Sequence, residues 1–245
     1  MAHSAATRKS GILAMTSTDS ISPPPRGARH EVRRTRERAH YDRATAHAIL
    51  DDGFLAHVGF SVDGQPFVVP MLYARDGDDL LLHGSIASRL MRQLGDGAPA
   101  CISVTHVDGL VLAKSHFHHS ANYRSVVCFG RASVIDDAAQ KVAAMAHFVD
   151  AILPGRAAEA RPADKNELAA TLVLRFVIED ASAKIRSGGP KDDPADKELP
   201  NWNGVVPMQL VYAQPLAAPE APAESTMPPS ITQLLKHGRT LPAAS

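Results

Sequence analysis

Asp-Gly pairs set between short apolar runs constrain this chain more than any other feature. GFLAHVGFSV is followed by Asp63-Gly64 and then QPFVVPMLYA. An Asp-Gly pair accepts positive φ at both positions, which is what a two-residue hairpin turn needs to match the twist of its strands. This predicts a first hairpin. After RDGD comes DLLLHGS as a third strand. ACISVTHV and LVLAKS flank Asp108-Gly109 as a second hairpin, and YRSVVCFGRASVI reads as a long strand with a bulge or bend at Gly130. A final strand, ATLVLRFVIEDASAKI, precedes a segment rich in Pro, Asp and Lys, and then WNGVVPMQLVY.

Helical signals are few. Ser88 to Leu94 reads as one or two turns capped by Ser88. DAAQKVAAMAHFVDAIL reads as a helix capped by Asp136, with Val142, Met145, Ala146, Val149 and Ile152 at helical spacing and a stop at Pro154-Gly155. A doubly wound α/β fold needs a helix of roughly ten or more residues between successive strands, and the first three strands have none. The pattern predicts a mainly β, antiparallel fold of six or seven strands closed, or nearly closed, into a barrel.

Residues 1–30, rich in Ser, Ala, Thr and Pro, read as a disordered leader, with Met15 as an alternative start. Residues 31–216 read as one domain and 217–245 as a flexible C-terminal tail. A chain of 245 residues that is 44% hydrophobic can bury one sizeable core. Lys plus Arg equals Asp plus Glu at 26 each, so no global charge draws the protein to nucleic acid or an anionic membrane, and any anion must be held locally. The arginines from Arg33 to Arg43 could suggest a phosphate-binding arm, but Glu31, Glu37 and Asp42 dilute them, and the stretch reads as a solvated, partly helical lead-in rather than a nucleic-acid contact. Cys101 and Cys128 lie far apart in apolar runs, as reduced buried thiols do, and no apolar run approaches the roughly 20 residues of a spanning helix. A cytoplasmic protein with no membrane or nucleic-acid partner is expected.

There is no GxSxG elbow, HExxH, GxGxxG or Walker loop, so hydrolase and nucleoside-triphosphatase readings lose their footing. A strand ending in His83-Gly84-Ser85, followed by Ser88-Arg89 at a helical turn, offers hydroxyls, backbone N–H groups and a guanidinium for a phosphate. An ordinary capped turn with a surface arginine accounts for the same residues. Asn122, Tyr123, Arg124 and Ser125 offer an amide, a guanidinium, a hydroxyl and an aromatic face suited to a flat heterocycle, or a loop that merely packs. His116, His118 and His119 raise metal or haem ligation, but adjacent histidines diverge and no Cys or carboxylate stands at metal spacing, so no metal site is expected. Trp202, in NWNG, reads as a core or interface plug.

Taken together, residues 33–53, QPFVVPMLYARDGDDLLLHGSIASRL, HHSANYRSVVCFGRA, KIRSGGP and WNGVVP resemble, in order, the flavin-nucleotide-binding branch of the pyridoxamine 5'-phosphate oxidase-like superfamily, close to the 5-nitroimidazole resistance proteins. The resemblance implies an FMN-binding split β-barrel with Greek-key-like strands. It also implies a homodimer with FMN, sometimes FAD, in two equivalent interface clefts. On this chain Pro70, Met71 and Leu72 would line the flavin with backbone groups. His83, Gly84, Ser85, Ser88 and Arg89 would form the phosphate side, Asn122, Tyr123, Arg124 and Ser125 a second flavin-facing segment, and Lys184, Arg186 and Trp202 a closing C-terminal stretch. Arg124 near the ring would favour the anionic reduced flavin. The basic residues with which authentic pyridoxamine 5'-phosphate oxidases grip substrate phosphate have no counterpart. The position of His83 is associated with the reactive centre of nitroimidazole resistance proteins, which makes it the candidate catalytic residue. The resemblance thus implies an FMN-dependent oxidoreductase of a small redox substrate, nitroreductase-like in chemistry. The alternative is a flavin carrier or sensor, or a haem-binding protein.

Overall fold

The computed structural model describes residues 27–221 and 226–239; the leader up to residue 26, with Met15, lies outside them. In chain order the elements are β1 (Ala39–His40), α1 (Arg43–Asp52), β2 (Leu55–Val62), β3 (Gln65–Leu72), β4 (Ala74–Asp76), β5 (Asp79–Ser85), α2 (Arg89–Gly95), β6 (Ala100–Leu112), β7 (Ser120–Val134), α3 (Ala138–Ile152), α4 (Lys165–Ala169), β8 (Thr171–Arg186), β9 (Gly204–Pro207) and α5 (Pro229–His237).

The first hairpin forms where the sequence sets it. Asp63 (φ 50°) and Gly64 (φ 78°) turn the chain from β2 into β3, and Val62 pairs with Gln65. The sheet runs β3-β2-β6-β7-β8-β5-β4, with neighbouring strands antiparallel. β3 approaches β5, so the sheet curls toward closure without pairing there, as a split barrel does. Alternation then sorts the side chains. Val58, Ile102, Val104, Val126, Cys128, Leu174, Phe176, Leu80 and Leu82 fill the barrel, and Ile49 and Leu50 of α1 join them. Leu81 and Val173, on the opposite face of their strands, are covered by Phe148 and Ala144 of α3.

Several local expectations change. β6 runs straight through Asp108-Gly109 with a register shift and no turn. Gly109 is needed there because a Cβ would meet the Val206 carbonyl of β9 at 2.9 Å. The bend at Gly130 is present: the register slips beside it, and a Cβ would lie 1.9 Å from the Val177 carbonyl. Helix α3 is capped by Asp137, whose carboxylate accepts from Gln140 N–H at 2.8 Å, rather than by Asp136. Its buried residues are Ala144 and Phe148, whereas Val142 and Ala146 are exposed, because the helix is apolar on more than one side. Cys101 and Cys128 occupy adjacent strands, but Cys101 faces Phe129 and Cys128 faces Ile102, which puts the two thiols on opposite faces. Within the segment read as a tail, residues 229–237 form α5, held by Ser230, whose N–H donates to Glu159 at 2.9 Å. Among the described residues no helix is long and apolar enough to cross a membrane.

Candidate functional site

Strand direction divides the expected site residues into two groups. β5 descends to Ser85, which pairs with Thr171 at the start of β8; β8 then climbs to Lys184, opposite Ser125 of β7, and Arg186, opposite Tyr123. Thirteen positions of β8 separate 171 from 184, a contour of about 40 Å at the usual rise per residue. Pro70 and Leu72, at the far end of β3, lie toward the Lys184 end, because β3 runs parallel to β6 and β8 through their shared antiparallel neighbours. His83, Gly84, Ser85, Ser88 and Arg89 therefore sit at one end of the barrel. Asn122–Ser125, Lys184, Arg186 and, through β9, Trp202 sit at the other. Arg89 touches Phe67, three residues before Pro70 on β3, so Pro70–Leu72 lies between the two groups, whereas no hydrogen bond or ion pair among the described residues joins the first group to Asn122–Ser125, Lys184, Arg186 or Trp202.

The first group is built around α2. Ser88 Oγ accepts from Met91 N–H at 3.4 Å and Ser85 Oγ from Ala87 N–H at 3.1 Å, so both hydroxyls serve the turn. Gly84 lets the helix in: a Cβ there would meet Met91 Cγ at 2.9 Å. Arg89 lays its guanidinium 4.0 Å from the centroid of the Phe67 ring, across the gap between α2 and β3, and no carboxylate pairs with it among the described residues. His83 packs edge-on against Phe148 with ring centroids 4.3 Å apart. Its Nδ1 is buried without a hydrogen-bond partner, and burial holds its pKa below the usual histidine value.

The second group contains two arginines of opposite character. Arg124 grips Asp108 with two hydrogen bonds, Nε to Oδ2 at 3.0 Å and Nη2 to Oδ1 at 2.9 Å, and reaches Asp52 with Nη1. The hydrogen bonds it donates to Asp108 lead the causes that raise its pKa. Its charge is thus matched twice over, and Tyr123 and Ser125 fall on the other face of β7. Arg186 is only 7% exposed, yet its hydrogen bonds go to neutral oxygens: Asn122 Oδ1, the Gly188 carbonyl at 3.2 Å and the Gly189 carbonyl at 3.1 Å. No carboxylate reaches it among the described residues. Burial, followed by the positive charge of Arg38, lowers its pKa. Beside it Lys184 Nζ donates to the Arg34 carbonyl at 3.2 Å. Met71 packs against the barrel core while Pro70 and Leu72 are exposed. Trp202 is 66% exposed, so it plugs nothing within one chain.

The histidine cluster does not converge. His118 faces Asp193 at 3.3 Å, His119 Nδ1 contacts the Ser115 carbonyl at 2.8 Å, and His116 is exposed. Among the described residues no group of three His, Cys, Asp or Glu side chains could hold a metal ion. Asp52 and Asp108, which neutralise Arg124, carried no sequence signal of this role; their pairing with residue 124 exists only once β6, β7 and α1 meet.

The pyridoxamine 5'-phosphate oxidase family model matches residues 42–185. The flavocytochrome Anf3 from Azotobacter vinelandii is 39% identical, with a TM-score of 0.79 over 84% of this chain and 96% of its own. The FAD and haem binding protein from Mycobacterium smegmatis is 40% identical, with a TM-score of 0.77 over 80% of this chain and 96% of its own. A candidate 5-nitroimidazole antibiotic resistance protein from Bacteroides thetaiotaomicron shares the fold, at 20% identity and a TM-score of 0.51 over 60% of this chain and 86% of its own. None of the curated proteins matches.

Proposed function

The chain belongs to the pyridoxamine 5'-phosphate oxidase family, and on that premise we propose that it is a homodimeric flavin-nucleotide protein of the cytoplasm that exchanges electrons with a small redox substrate. The observation that carries this reading is Arg186, a buried guanidinium that no carboxylate matches among the described residues. Burying an unmatched charge is costly, and an anionic ligand beside it recovers that cost. A flavin nucleotide fits this donor set, since its phosphates are anionic and its ring is flat enough to lie against Tyr123 or Trp202. Likeness to the M. smegmatis protein, which binds FAD and haem, favours FAD over the FMN implied by the sequence resemblance.

The division of the site supports the dimer reading. One chain contributes Arg89 and the Ser85–Ser88 turn, the other contributes Arg186, Lys184 and the strand segment Asn122–Ser125, and two-fold symmetry makes two such sites. When bound, the flavin supplies the redox chemistry. The chain binds and orients it: Arg89, which no carboxylate pairs with among the described residues, is available to phosphate, and Arg186 holds a fixed positive charge on the opposing side. His83 lies at the Arg89 end with its pKa lowered by burial and its Nδ1 enclosed, so it acts on the site through packing against Phe148.

Likeness to the flavocytochrome and to the FAD and haem binding protein supports a second reading, in which a haem accompanies the flavin. The visible spectrum of the protein purified without added cofactor tests both. Flavin bands are expected, with a Soret band if haem is present. A colourless protein that quenches neither FMN nor FAD fluorescence overturns the reading.

A further inference from the structure

Residues 27–38, the arginine-bearing stretch ahead of β1, are held along β8. Arg29 donates to Asp180 from Nε at 2.7 Å and to Glu179 from Nη2 at 2.6 Å, and Lys184 Nζ donates to the Arg34 carbonyl at 3.2 Å. The arm thus follows β8 from 179 to 184 and then reverses. The reversal falls at Thr35, whose φ of 53° and ψ of 55° are left-handed. A β-branched residue is strained there, and such strain persists where surrounding contacts impose it, often at ligand clamps. A single 3-10 turn, Arg36–Arg38, follows and touches β8, and β1 then pairs Ala39 with Lys184 and His40 with Ala183. One step further along that register, Arg38 stands level with Ile185, between Lys184 and Arg186.

The charges of the arm are sorted. Glu31 accepts from Gly27 N–H at 2.7 Å and from Arg36 at 3.0 Å, and lies 3.6 Å from Arg33. Arg29 is matched by Glu179 and Asp180. Arg38 has only Glu37 among the described carboxylates, at 4.0 Å; the Glu37 side chain is 66% exposed and that of Arg38 26%, so the pair is weak. Lys184 meets a carbonyl, and Arg186 meets an amide and two carbonyls. Three cations therefore stand together where, among the described residues, one solvent-facing carboxylate answers them. The charge of Arg38 reaches Arg186, where it adds to burial in lowering the guanidinium's pKa. Partly buried like charges are costly to hold together, and an anion between them relieves that cost.

We propose that Arg38 is a second phosphate-binding residue of the Arg186 site, delivered by the N-terminal arm, and that the two guanidiniums clamp a phosphate group carrying two negative charges. The proposal rests on the flavin-nucleotide reading above and adds to it a residue and the segment that carries it. A phosphate monoester, as in FMN, and a diphosphate bridge, as in FAD, both offer that charge.

The test titrates riboflavin, FMN and FAD into the full-length apoprotein by fluorescence quenching. Arg38→Met should weaken whichever of FMN and FAD the unaltered chain binds by about tenfold or more, since charged donors to phosphate are lost; riboflavin should move by less than about threefold and the melting temperature should hold. Thr35→Pro keeps Arg38 but forbids the left-handed turn, and it should reproduce the loss. Thr35→Gly, which accepts that turn freely, should bind as the unaltered chain does. Unchanged nucleotide binding in Arg38→Met or Thr35→Pro, or an equal loss for riboflavin, overturns the clamp and leaves the flavin reading standing. An unaltered chain that binds neither FMN nor FAD overturns both.

Discussion

Arg124 and Arg186 stand on neighbouring strands at one end of the barrel, and both are drawn from segments that looked equally suited to bind a flavin. Arg124 is clamped by Asp52 and Asp108, whereas Arg186 is more deeply buried and, among the described residues, meets only amide and carbonyl oxygens. A guanidinium with two carboxylates has its charge spent inside the protein. One without any is poised for an anion from outside. The difference separates a structural clasp from a ligand site more sharply than residue type can, and substitutions should separate the two in opposite directions.

The largest effect is expected for Arg186→Met, which should raise the flavin dissociation constant about 100-fold, since hydrogen bonds from a charged donor contribute about 1.5–3 kcal/mol. Apoprotein melting should change little, because the lost hydrogen bonds and the relieved desolvation offset each other. Flavin fluorescence titration and calorimetry on the same variant check the pair of outcomes, and a large drop in stability with unchanged binding would reverse the roles of the two arginines. At the other end of the barrel, Arg89→Ala should weaken FMN or FAD about 10- to 100-fold and riboflavin hardly at all, because only the nucleotides carry phosphate. Equal losses would make Arg89 a packing partner of Phe67 alone.

Arg124→Met should act on stability instead. Asp52 and Asp108 would lose their shared cation, at a cost of about 1–2 kcal/mol given that Arg124 is a third exposed, and flavin affinity should stay within about threefold. Denaturant unfolding of the apoprotein measures the first part. The smallest effect concerns His83, whose pKa is lowered by burial. The unfolded chain then binds more protons in the window from the folded pKa up to the usual histidine value of about 6.5, so this residue's contribution to stability falls as the pH drops through that window. His83→Asn should flatten that part of the stability profile; an unchanged slope would mean that the ring is not desolvated.

What the sequence made legible follows from how local each signal is. The Asp63-Gly64 turn, the Ser88 cap and the Gly130 bend depend on a few adjacent residues and their conformational limits, and each is present. Asp108-Gly109 carries the same local signature as Asp63-Gly64 but sits where β9 approaches, so a close contact uses the glycine and an ion pair uses the aspartate. The expected site residues could be picked out one by one from the sequence, but the separation of His83–Arg89 from Asn122–Ser125, Lys184 and Arg186 depends on the β5–β8 and β7–β8 registers, which no short motif encodes. The same holds for Arg124, whose partners lie 16 and 72 residues away in the chain.

Complementation between the two ends tests the central claim directly. Arg89→Ala and Arg186→Met, each too weak to hold flavin at the concentration used, are mixed in equal amounts under conditions of subunit exchange. With sites built from both chains, half of the dimers are mixed, and each has one intact and one doubly damaged site, so flavin binding should return to about a quarter of all sites. If both residues serve a site within one chain, every site stays damaged and no binding returns, which would contradict the account.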